Sequence, residues 1–95
     1  MYVSVLKLKI KLPFSESLKD KRMVKNSIRD KVERTFKSLV KEIDTNDNKK
    51  ILSLGIIYAS STQTSAEQQI NKILEYMERN YDYDFYDTEK YIEKF

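Results

Sequence analysis

The side chains best placed to do chemistry in this sequence are cations. The densest positive run is Ser17-Leu-Lys-Asp-Lys-Arg22, continued by Lys25 and Arg29. Cations in the first turn of a helix sit where exposed N–H groups and the helix dipole favour anions, a misplacement of a few tenths of a kcal/mol each. A helix tip ringed this way suits an anion such as a phosphate. Lys19, Lys21, Arg22, Lys25 and Arg29 are therefore candidate phosphate contacts, and Lys7, Lys9 and Lys11 are a second set that could join them. The acids Asp82, Asp84, Asp87 and Glu89 form the opposite cluster. Alternate strand residues diverge rather than converge, so a solvated edge is expected there and no metal site.

The missing residue types narrow the chemistry. The 95 residues include no Cys and no His. Disulfides, thiolate metal sites, cysteine nucleophiles and every Ser-His-Asp arrangement are excluded. The single Gly, at position 55, excludes a glycine-rich phosphate loop. Carboxylates, Lys and Tyr remain, and no pair of them has a spacing that demands catalysis. The expectation is a non-enzymatic protein with no cofactor and no small-molecule substrate.

Composition points to one folded domain covering residues 1–95. Apolar residues make up 40% and charged residues 35%, too apolar for a disordered chain. The N-terminal apolar run is interrupted by Lys7, Lys9 and Lys11, so it resembles neither a signal peptide nor a membrane span. A cytoplasmic protein is the default. The net charge of +3 hides an asymmetry: residues 1–41 hold 12 Lys/Arg and 4 Asp/Glu, whereas residues 42–95 hold 6 Lys/Arg and 11 Asp/Glu. Such a split can attract a polyanion or help two copies dock.

Six elements must position these groups. Residues 2–12 alternate, with Tyr2, Leu6, Leu8, Ile10 and Leu12 on one face beside Ser4, and Val3, Val5, Lys7, Lys9 and Lys11 on the other, which predicts a strand ended by Pro13. Ser17 with Asp20 is a weak capping box, and Val24, Ile28, Val32 and Phe36 trace the stripe of a helix over roughly 18–37, with Leu18 near it. Lys21 falls on that stripe. Its stem should lie along the core edge, with the ammonium reaching past the sheet end or pairing with a strand carboxylate such as Glu42. A short strand over 38–44, a turn over 45–50 and a central strand over 51–60 read as a hairpin. Ser65 to Gln68 fits a capping box, followed by the helical face Ala66, Ile70, Ile73, Leu74 and Met77. Residues 81–88 alternate as a last edge strand, and residues 89–95 read equally as an extension of it or a frayed tail.

The order β-α-β-β-α-β is the ferredoxin-like pattern of the α+β class: a four-stranded antiparallel sheet with two helices on one face. The other face carries no helix. With the even positions of both central strands in the core, Val3, Val5, Ile51 and Ile57 lie outside, an apolar surface suited to a homodimer. No aromatic side chain falls on the open face of the central strands, which argues against base stacking there.

Met1-Tyr-Val-Ser-Val-Leu6, Pro13 and the run Ser17-Leu-Lys-Asp-Lys-Arg22 resemble the bacterial YlxP-like family, a domain of unknown function (DUF503). The resemblance continues through Phe36, Val40, Glu42, Asp47, Leu54-Gly55, Asp87 and Glu89. It implies a ferredoxin-like fold. It also implies, because members are often encoded beside translation-initiation and ribosome-maturation genes, a role around RNA or the ribosome. The chain departs from the family where Lys49-Lys50 replace a usual Trp-Gln pair, and where Lys37-Ser-Leu-Val-Lys-Glu42 replaces a usual N-V-S-V-A-E.

Overall fold

The computed structural model describes residues 1–44 and 47–95. Its elements are β1 (Tyr2–Lys11), α1 (Leu18–Phe36), β2 (Leu39–Glu42), β3 (Ile51–Ser60), α2 (Gln63–Asn80) and β4 (Asp84–Lys94). The strands form one antiparallel sheet in the order β2-β3-β1-β4, the ferredoxin-like arrangement. The centre of the expected 45–50 turn, Thr45 and Asn46, lies outside the described residues.

The alternation of β1 decides which side becomes the core. Leu6, Leu8 and Ile10 are buried, as are Leu52, Leu54 and Ile56 opposite them on β3. Ile28 and Val32 of α1 and Ala66, Ile70, Ile73 and Met77 of α2 close over this face. Ser4 is accommodated among them because its hydroxyl donates to the Ala66 carbonyl at 3.0 Å. Leu18 departs from expectation: it is exposed, and Lys21 occupies the buried stripe instead.

The helix starts have separate causes. Ser17 caps α1 by accepting from the Asp20 N–H at 3.0 Å, while the Asp20 carboxylate accepts from the Glu16 N–H at 2.9 Å, one residue before the cap. For α2 the cap is Thr62, which accepts from Ser65 N–H at 3.1 Å; the expected Ser65 box therefore lies inside the helix. The Glu33 carboxylate accepts from the Val40 N–H at 2.9 Å, so α1 covers an amide of the edge strand β2.

The last strand starts later than the 81–88 alternation indicates and runs through the tail. Met1 and Phe95 close its far end through Phe95 N–H to Met1 O at 2.7 Å. Between Lys9 and Ile10 the β1–β4 register shifts: Lys9 faces Asp87 and Ile10 faces Phe85, leaving Tyr86 as the extra residue of a bulge.

Leu54→Ala should cost about 2–5 kcal/mol, read from urea unfolding, because a fully buried central-strand side chain leaves a cavity under both helices.

Candidate nucleic-acid interface

The eight candidate cations divide into three groups. Lys7, Lys9 and Lys11 do stand on the helix-free face, but β4 lays an acid beside each. Lys7 lies 3.5 Å from Glu89 and Lys11 lies 4.0 Å from Asp84. Lys9 faces Asp87 in register. On the strands of this face, four lysines (Lys7, Lys9, Lys11, Lys41) stand with four carboxylates (Asp84, Asp87, Glu89, Glu93). The expected basic stripe is therefore neutralised within the sheet. The Tyr91 hydroxyl donates to Glu89 at 2.8 Å. That bond, followed by the Lys7 ammonium, holds the Glu89 carboxyl below its ordinary value.

Lys21 is the second correction. It is 4% exposed, and its ammonium lies 3.4 Å from Glu42 and donates to the Asn48 carbonyl at 3.1 Å. It ties α1 to the β2–β3 connection instead of reaching past the sheet end. Lys25 shares the same carboxylate at 3.6 Å and is partly exposed.

Lys19, Arg22 and Arg29 form the third group. Lys19 and Arg22 are exposed and make no ion pair with a described residue. Arg29 meets only its exposed neighbour Asp30, at 3.5 Å. At 100° per residue these three and Lys25 fall within about 120° of the helix circumference, and from Lys19 to Arg29 they extend roughly 15 Å along it. By the same count Asp20 lies about 100° outside this arc, where its carboxylate accepts from the Glu16 amide, and the exposed Asp30 lies at the arc's edge.

Beside this helix tip is a feature that the sequence reading passed over. A shallow groove of about 750 Å³ is walled by Pro13, Phe14, Ile51 and Tyr83, with Lys11, Lys50, Asp82 and Asp84 also lining it. Phe14 stacks on Tyr83 at 5.5 Å between centroids, and Tyr83 on Tyr81 at 5.6 Å. The signal was present in the Tyr-x-Tyr spacing and the exposed Phe after Pro13. Lys50 donates to the Pro13 carbonyl at 2.7 Å, and Lys49 donates to the Glu16 carbonyl at 3.1 Å. Lys49 and Lys50 thus anchor the loop that leads into α1. Among the described residues, no three His, Cys, Asp or Glu side chains converge to hold a metal ion, and no helix is long and apolar enough to cross a membrane.

Of the expected interface residues, Val3, Val5 and Ile57 cluster on the open face. Ile51 stands three cross-strand rows from Ile57 and lines the groove instead.

Two predictions follow from these geometries. Glu42→Ala should cost about 3 kcal/mol in urea unfolding at pH 7, because it removes the carboxylate that balances a buried ammonium, whereas Lys21→Met should cost within about 1 kcal/mol. Equal costs would show that Glu42 does not hold Lys21. Burial, and then the Tyr81 phenol beside it, raises the Tyr83 phenol above its ordinary 10.0. The neutral phenol is thus favoured by folding. Its contribution is fully present below pH 10.0 and is lost as pH rises through the higher folded value. Tyr83→Phe should therefore lose less stability than the unmodified chain above about pH 10 in base-titrated circular dichroism.

No curated protein matches the chain. A family model described as a protein of unknown function, DUF503, matches residues 3–90, which include β3, α1, α2 and all of β1 but its first residue. The chain belongs to the DUF503 family.

Proposed function

We propose that this protein is a non-enzymatic, cytoplasmic RNA-binding module that docks on the phosphate backbone, free or at a ribosomal surface, through the outer flank of α1. The observation that supports this reading is the sorting of the cations. Five of the eight candidates (Lys7, Lys9, Lys11, Lys21 and Lys25) stand against carboxylates of the sheet. Lys19, Arg22 and Arg29 remain on one exposed helix flank, with Lys25 at its margin. A polyanion meeting Lys19 and Arg22 replaces water and counterions without first breaking an ion pair to a described residue, and Arg29 gives up only its exposed contact with Asp30, which favours association over the same contacts made on the sheet.

Contacts of this kind read charge and spacing rather than base identity. Binding should weaken with salt, with a slope of log K on log salt of about −2 to −3 for three or four contacts to a single strand. The test is fluorescence anisotropy with a labelled single-stranded RNA at about 50 mM salt. The double variant Lys19→Glu/Arg22→Glu should weaken binding by about tenfold or more, whereas Lys31→Glu, on the opposite side of α1, should change it little. No binding at low salt, or an equal loss from Lys31→Glu, overturns the proposal.

A further inference from the structure

The helix-free face is organised in rows that cross the strands. One row is apolar from edge to edge: Leu39 of β2, Ile57 of β3, Val5 of β1 and Tyr91 of β4 stand opposite one another in register. Leu39, Ile57 and Tyr91 are 48%, 43% and 47% exposed, although a β-sheet interior normally takes such side chains. The next row reads Lys41, Gly55, Lys7, Glu89, so it carries a cation at the β2 edge and a carboxylate at the β4 edge. On the other side of the apolar row stand Ala59, Val3 and Glu93.

We propose that this face is covered by a second copy of the chain, with the two-fold axis lying between the two sheets and parallel to the strands. That axis reverses each row over itself. Leu39 then meets the partner's Tyr91, and Ile57 meets the partner's Val5. Lys41 meets the partner's Glu89, and the symmetry repeats every contact. The other in-plane axis, across the strands, also stacks the apolar row on itself. However, it turns the lysine row onto the Glu93 row and sets Glu89 against the partner's Glu93 twice at the β4 edge, once on each side of the axis. Like charges in that position are destabilising, so charge selects the first axis.

The area agrees. Two strands of 10 residues flanked by β2 and β4 present a face of roughly 30 by 19 Å, about 600 Å² per copy. The two copies together bury about 1,200 Å², the lower bound of stable interfaces. Twisted sheets pack about 10 Å apart and about 30° from aligned, so the tightest contact falls at the centre, on Val5 and Ile57, and the charged pairs lie toward the rim.

Sedimentation at several hundred micromolar (about 0.5 mM) tests this against concentration-dependent dimerisation. The unmodified chain should sediment as a dimer. Ile57→Asp and Leu39→Lys should each weaken the dimer by about tenfold or more. Circular dichroism serves as the check that both still fold, and Leu39→Lys lies on the short edge strand where folding is least at risk. Lys41→Glu and Glu89→Lys should each weaken self-association, because each sets like charges together twice. Mixing those two variants should restore a dimer, because both cross-subunit pairs are then opposite in sign. A monomer for the unmodified chain, unchanged dimerisation in folded Ile57→Asp or Leu39→Lys, or no recovery on mixing overturns the proposal.

Discussion

Both helical crossovers of a split βαβ pair share one hand, so both helices lie on the same side of the sheet. Half of every strand must therefore be stabilised without a helix, and β1 bears most of this demand because it is paired along its whole length on both sides. Its even residues are a continuous apolar strip against the helices. Its odd residues are two valines followed by three lysines, and what β3 and β4 place beside them determines the character of the exposed face. Valines meet Ile57, Ala59 and Tyr91, with Glu93 beside Val3 at the end of the sheet; lysines meet Asp84, Asp87 and Glu89. The apolar end and the charged end of the face are thus inherited from one ten-residue strand.

The uneven charge of the chain has the same origin. Its basic first part and acidic second part are brought together by folding, strand against strand in the sheet and through Glu42 beneath α1. Exposed pairs such as Lys7 with Glu89 contribute little stability singly, on the order of 0–1 kcal/mol. Their larger effect is on register and on what remains outside: the positive field that residues 1–41 would create is cancelled over the sheet and survives along one flank of α1.

The fold was legible because the strong signals were local. The alternation of residues 2–12, the fourfold spacing of Val24, Ile28, Val32 and Phe36, and the apolar run from Ile51 each state one element and one buried face. The pairing of Lys21 with Glu42 was one of two readings left open by angular position alone. What was not legible depends on partners far along the chain. Whether Lys7 is a free cation is decided by Glu89, 82 residues later, through a register no local pattern carries. Leu39, Lys41 and Tyr91 joined the open face for the same reason. The α2 cap was misplaced because Thr62 and Ser65 both precede a helical run, and the choice between two such caps rests on backbone geometry.

The end of β4 was obscured by its own bulge. On one side of Tyr86 the outward residues are odd-numbered (Asp87, Glu89, Tyr91, Glu93); on the other the outward residue is Asp84 and the inward one Phe85. Read as a single alternation the segment contradicts itself, which is why its two parts looked like a strand and an undecided tail. The extra residue reconciles them, keeping Phe85 against the core while Asp84 still reaches Lys11. It also works as an expansion joint in the ladder. Loss of Tyr86 would leave Phe85 and Asp87 consecutive and every neighbour on its present side, so this strand can change length at that point without being turned inside out.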